Sequence, residues 1–222
     1  MEQIAILCAA SALVISIAAF VHGAVKILKK GKPLYFQIVI WAVGCYCLQC
    51  IESCVVYLCG DFSDKGIVGQ IAMCGFFVAL ISANFGALDT IVDERSKNNG
   101  KYRKLALVAP VAFGIASVVA LKNIFPLYNF AAIVYGMSLL SMIVASYFSL
   151  KHLLLPNDEL GILSCTRMCN IICLIIYLLA VLLIIIYKRV NPIISDVLNL
   201  IISFFVLALT LAAEKGEKSW PI

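Results

Sequence analysis

Seven long apolar runs alternate with short polar stretches, and that alternation, more than any amphipathic periodicity, organises the chain. The runs cover about residues 4–25, 35–59, 67–92, 105–121, 129–150, 168–187 and 193–213. Most approach the roughly 20 residues that a helix needs to cross a hydrocarbon layer. The pattern predicts an all-α fold in which residues 1–222 form one domain, a polytopic membrane bundle of seven transmembrane helices. The run at 105–121 is the shortest, and Pro110 and Gly114 predict a kink in it.

The polar stretches between the runs set an orientation. Lys26, Lys29, Lys30 and Lys32 follow the first run, and Arg95, Lys97, Lys101, Arg103 and Lys104 follow the third. With helices alternating in direction, thirteen of the seventeen Lys and Arg fall on one side and four on the other. Basic loops stay in the cytoplasm, so the amino terminus is expected outside and the carboxyl terminus inside, in the plasma membrane. The first run lacks the positive leader and small-residue cleavage site of a secretory signal. Gly31 and Pro33 predict a tight turn into the second run, and Asn191-Pro192 another into the seventh. Pro156-Asn157-Asp158-Glu159 predicts a cap for a helix leading into the sixth.

Composition agrees with that outline. The chain is 64% hydrophobic and only 13% charged, against about 25% charged residues in soluble domains. The net charge of +5 is spread through loops, which argues against a nucleic-acid partner and for contact with the lipid bilayer and its anionic headgroups. Nine of the ten cysteines lie inside apolar runs, where a thiol packs as a small apolar group. Cys47, Cys50 and Cys54 share a helical face, as do Cys165, Cys169 and Cys173, but their spacing matches no established metal motif. No metal or cofactor is expected. Ser-His-Asp, HExxH and phosphate-loop signatures are also missing, so an enzyme is not expected.

The candidate chemistry lies in polar residues sunk within apolar runs, where they are costly unless they face a partner or a wet cavity. Glu52 sits about seven residues, or roughly 10 Å, inside the second run. Gln49 and Cys45 fall on its stripe, with Tyr46 and Ser53 beside them. Two readings stand for Glu52: an ion or solute site, or a structural pair with Lys188 or Arg189. Asn84 and Asp89 lie in the third run, where Ser82, Gly86, Asp89 and Asp93 share a face; here the competing reading pairs Asp89 with Lys26, Lys30 or the basic loop. Asn199 and Asn170 are candidates for hydrogen bonds between helices. Ser195 and Asp196 follow Pro192 and are expected to cap the seventh helix. His22, one turn before Lys26, is expected to be a hydrogen-bonded interface residue.

Seven helices with an outer amino terminus resemble G-protein-coupled receptors and the seven-helix input modules of bacterial sensor kinases. Asp93-Glu94-Arg95 resembles the receptors' acidic-Arg motif at the inner end of the third helix. The chain differs from the receptors at Ser96, where they carry an aromatic residue, and in placing Asn191-Pro192 at the start of its last helix. It differs from rhodopsin-type proteins in having no lysine within that helix. The topology also resembles sugar carriers built from two three-helix repeats around a single linking helix, and Gly75-Phe76-Phe77-Val78 against Ser203-Phe204-Phe205-Val206 is similar to such a duplication. The resemblance to carriers implies a site between the repeats.

Together these features support a protein that binds or transports a small solute or ion through a polar intramembrane site at Glu52, Asp89, Asn84, Gln49 and Asn199. The alternative is a receptor-like sensor or regulatory membrane subunit. It would act through a separate protein docked on the basic loop at Arg95, Lys97, Lys101, Arg103 and Lys104.

Overall fold

The computed structural model describes residues 2–28, 34–59, 67–95, 130–154, 163–187 and 192–218; the side chains of 84–95, 130–132, 135, 147–148, 150–154, 163–167, 184–187 and 216–218, and of 2, 34, 59, 67 and 192, lie outside that description. Every described residue is helical. The helices are α1 (Glu2–Leu28), α2 (Leu34–Cys59), α3 (Ile67–Arg95), α4 (Phe130–Leu154), α5 (Leu163–Tyr187) and α6 (Pro192–Lys218). Backbone amides in hydrocarbon have no water to bond, and a helix satisfies them within the segment itself. Pro192 takes the first helical position of α6, where its missing N–H is no loss. The run expected at 105–121 lies outside the described residues. The seventh apolar run is expected to end at 213, but α6 continues to Lys218, so Glu214 stays on a helix.

Three helices are long and apolar enough to cross a membrane, over Gln3–Leu28, Tyr35–Leu58 and Ile193–Lys215. Shorter apolar helical stretches cover Val68–Ala83, Gly136–Ser146 and Met168–Leu183. Large apolar side chains cover the outer surface as well as the core. On α1 the exposed side chains include Leu7, Val14, Val21, Val25 and Leu28, whereas Ala5, Ala9, Ala12, Ser16 and Ala19 are buried. On α2 Trp41, Leu48, Ile51, Val55 and Leu58 face outward. Water would penalise such a surface at about 25 cal/mol for each Å² of apolar area, and lipid does not. The chain is therefore associated with a membrane through these helices.

The helices form a ring in chain order. α1 packs on α2, α2 on α3, α3 on α4, α4 on α5 and α5 on α6; α6 closes on α1 and also touches α2 across the ring. Small residues on α1 let its neighbours approach closely. At Gly23 the approach leaves no room for a methyl group, because a Cβ there would lie 2.1 Å from Cδ1 of Ile40.

Side-chain contacts give the relative directions. The end of α1 meets the end of α6 through Lys26 and Glu214, so those helices are parallel. The start of α2 meets the end of α6 through Tyr35 and Ala213, so those two are antiparallel. Ser141 of α4 contacts Cys74 of α3, and the tilted ring pair of Phe77 and Tyr177 continues through the Tyr177 hydroxyl to Ser149 of α4.

The interior is filled by large side chains. Phe36, Tyr46, Phe76, Phe77, Ile176, Ile202 and Leu209 are fully buried. Tyr46, Phe76, Phe77 and Tyr177 form a chain of ring contacts at 5.9, 5.3 and 5.6 Å that joins α2, α3 and α5. The two similar tetrapeptides occupy different surroundings: Phe76 and Phe77 are core, whereas Phe204 is 55% exposed.

Candidate functional site

A hydroxyl in an apolar helix needs an acceptor, and the nearest one is the carbonyl a turn earlier. Ser16, Ser82, Ser141, Ser203 and Thr210 all take that solution, donating to Leu13, Val78, Ser138, Leu200 and Val206 respectively. These residues are polar by composition but already satisfied. What remains is a compact set where α2 faces α3 and α6, toward the Cys59 end of α2.

Tyr46, Gln49, Ser53 and Tyr57 recur along α2 at helical spacing and so share a face. Antiparallel to them, α6 presents Asn199, then Asp196 and Ser195. The buried Tyr46 hydroxyl donates to the Asn199 carbonyl at 2.8 Å. Gln49 Nε2 donates to Asn199 Oδ1 at 3.3 Å. Ser53 returns its hydroxyl to the Gln49 carbonyl at 3.2 Å. Tyr57 donates to the carboxyl of Asp196. Gln49 and Asn199, both anticipated as site residues, are thus brought into direct contact.

Two buried atoms among the described residues, one on α2 and one on α6, have no hydrogen-bond partner: Gln49 Oε1 and Ser195 Oγ. Gln49 is 7% and Ser195 8% exposed. Ser195 lies one turn before Asn199 on α6, and Asn199 meets Gln49 across the contact between α2 and α6. Leaving such an atom unpaired costs about 1–3 kcal/mol. Ser195 and Asp196 were expected to serve as caps; instead Asp196 accepts from Tyr57 across the helix interface, and the Ser195 hydroxyl bonds nothing described.

Glu52 turns toward α3. Its Oε2 accepts the Gly69 N–H at 2.6 Å. Gly69 is the third residue of α3, and N–H groups of a first turn have no partner within their own helix. The carboxylate therefore caps α3 from a neighbouring helix and meets the positive end of its dipole. Only glycine leaves space for this, since a Cβ at Gly69 would stand 2.1 Å from that oxygen and 3.3 Å from Cγ of Gln49. Glu52, Gln49 and Gly69 are thus one contact group, although Glu52 lies seven residues inside α2. The expected partners Lys188 and Arg189 lie outside the described residues.

The side chains of Asn84 and Asp89, also anticipated as site residues, lie outside the described set, as does the basic loop after Arg95. Lys26, one partner considered for Asp89, is engaged elsewhere. Its Nζ donates to Glu214 Oε1 at 2.8 Å, while His22 Nε2 meets Glu214 Oε2 at 2.7 Å. Beside this cluster the Tyr35 hydroxyl donates to the Ala213 carbonyl at 3.0 Å. These contacts tie α6 to α1 and α2 at the Lys26 end. The role of Glu214 was missed because its sequence neighbours, Lys215, Gly216, Glu217 and Lys218, read as a solvated tail. The signal that could have found it is its spacing of four from Thr210, which puts both on one continuing helical face.

The cysteine stripe on α2 divides among its neighbours. Cys47 and Cys50 face Ser16 of α1, Cys54 lies near Asp196, and Cys45 packs on Gly75 of α3. Eight cysteines among the described residues are free thiols. No cluster of three or more His, Cys, Asp or Glu that could hold a metal ion occurs among the described residues. Comparison of the chain with protein-family models, with curated proteins and with solved structures finds no match.

Proposed function

We propose that this protein is a seven-pass membrane bundle, amino terminus outside, that binds a small polar solute in the seam between α2 and α6. The carrying observation is the pair of buried, unpartnered atoms, Gln49 Oε1 and Ser195 Oγ, in a bundle whose other described hydroxyls mostly bond their own helix. A solute with matching groups would repay the cost of holding them open. Glu52 and Asn199 flank the seam, and Asn84 and Asp89 would extend the polar path along α3. The apolar run at 105–121, between α3 and α4 in the chain, is the proposed seventh span. The plasma membrane is the proposed location, from the basic loops.

The filled interior around Phe76, Phe77 and Tyr177 favours a second reading for the consequence of binding: a receptor-like or regulatory subunit that couples solute occupancy to a protein partner at Arg95–Lys104. Passage of the solute would need those rings to move.

The test uses stability and binding together. Ser195→Ala removes an unpaired hydroxyl and should leave the solute-free protein as stable or more stable, by up to about 1–3 kcal/mol, in denaturant titration in mixed micelles. Gln49→Met should lose little, because the lost Asn199 bond and the lost orphan oppose each other. If both variants are destabilised by more than about 1 kcal/mol, the atoms are serving structure through bound water, and the solute site is refuted.

A further inference from the structure

Basic loops in general are drawn to anionic headgroups, and the fold narrows that attraction to one place. Because α1 and α6 are parallel, their carboxyl-terminal ends lie side by side, although Lys26 and Glu214 are 188 positions apart. At that junction Glu214 Oε1 accepts from Lys26 Nζ at 2.8 Å, and Oε2 meets His22 Nε2 at 2.7 Å. The carboxylate is tucked in, with 12% of its side chain exposed, while Lys26 and His22 are 30% and 39% exposed. The acid thus anchors two basic side chains that stay open to their surroundings. An ammonium has three N–H donors, of which one bond to Glu214 is described, and His22 keeps a second ring nitrogen. Groups held in place in this way lose less freedom when they take an anion.

Charge and hydropathy at the junction agree on what that anion is. Lys215, exposed, follows Glu214 at the same end. In the sequence the two helix ends, Lys26 to Lys32 and Glu214 to Lys218, carry six lysines and two glutamates, an excess of four positive charges. Lys29, Lys30 and Lys32 lie outside the described residues and enter only that total. Toward the middle of the spans the same helices expose apolar side chains: Val21 and Val25 on α1, and Leu211 one turn before Lys215 on α6. A free anion has no use for these, whereas the acyl chains of a lipid do.

We infer that the joined ends of α1 and α6 form a binding site for an anionic phospholipid. Its phosphate sits at Lys26, His22 and Lys215, and its acyl chains run along Val21, Val25 and Leu211. This site is independent of the seam between α2 and α6.

The experiment titrates the full chain in micelles with phosphatidylglycerol or with phosphatidylcholine of the same acyl chains, and reads retention of single lipids by native mass spectrometry. Phosphatidylglycerol should be held at least about tenfold more tightly, and Lys26→Gln and Lys215→Gln should each cut that preference about fivefold, the factor for about 1 kcal/mol per lysine near an anionic headgroup. Lys101→Gln, which removes the same charge from another basic stretch, should leave it unchanged. Equal retention of the two lipids overturns the site. Equal losses in Lys101→Gln and Lys215→Gln also overturn it, in favour of diffuse attraction. A loss confined to Lys26→Gln reports the broken contact with Glu214 and counts against the site as well; if Lys26→Gln does not fold, Lys215→Gln and the lipid pair still decide. Loss of the preference on adding inorganic phosphate at constant ionic strength overturns the lipid in favour of a free anion.

Discussion

Gly23→Ala adds one methyl group where α1 and α2 come closest. The new carbon would lie 2.1 Å from Cδ1, 2.7 Å from Cγ1 and 3.2 Å from Cγ2 of Ile40, whereas carbon atoms rest at about 3.5–4.0 Å. Ile40 is 2% exposed, and a β-branched side chain on a helix has one strongly preferred χ1. Relief must come from an unfavourable rotamer or from separating the two helices. Overpacking of this kind costs about 1–3 kcal/mol, against up to about 1 kcal/mol returned by the helix preference of alanine over glycine. A net loss of about 1–2 kcal/mol is expected, measured by SDS titration in mixed micelles with far-ultraviolet circular dichroism. Ile40→Ala removes all three clashing carbons and should itself lose about 2–5 kcal/mol through the cavity it leaves. The double variant should then be less damaged than the sum, with a coupling of about 1–3 kcal/mol. Additivity within about 0.5 kcal/mol, or a Gly23→Ala protein more stable than wild type, would refute the close approach.

Other consequences are more local. Glu52→Ala should destabilise α3's first turn by about 0.5–2 kcal/mol and speed hydrogen exchange at Gly69, while Glu52→Gln, which keeps an acceptor, should lose only about 0.3–1 kcal/mol; unchanged exchange at Gly69 in Glu52→Ala would mean that the carboxylate is not its cap. Glu214→Gln should cost about 1–3 kcal/mol, because two hydrogen bonds to a charged group weaken at once, and its effect should be non-additive with Lys26→Met; strict additivity denies the contact between α1 and α6. For topology, a cysteine introduced at Asp61 or at Asn98 in a background with all ten native cysteines replaced should label from outside and only after permeabilisation, respectively. Labelling of Asn98→Cys in intact cells inverts the orientation.

Element existence was legible because it depends on composition alone. An apolar run in lipid has no choice but to close its backbone bonds within itself, so six of the seven expected helices lie where their apolar residues are, with ends shifted by a few residues. The ends were the weak point: a lysine or glutamate after an apolar run reads as the start of a loop, yet α6 carries Glu214 onward because Lys26 and His22 on α1 receive it. Gln49 and Glu52 could be singled out from their cost in hydrocarbon. Their partners could not, since a stripe at spacings of three and four says which residues share a face but not which helix that face meets.

What the sequence determined by itself is thus the membrane character, the helices and the few polar residues that need an explanation, all of which follow from local hydropathy and the backbone's demand for hydrogen bonds. What only the tertiary structure decided is the pairing: Glu52 with Gly69, Gln49 with Asn199, Tyr57 with Asp196 and Glu214 with Lys26 are separated by 17 to 188 positions. Lipid exerts no apolar pull that would specify those neighbours, so close packing of small residues and the few interhelical hydrogen bonds select them, and these are properties of surfaces in contact rather than of any single stretch of chain.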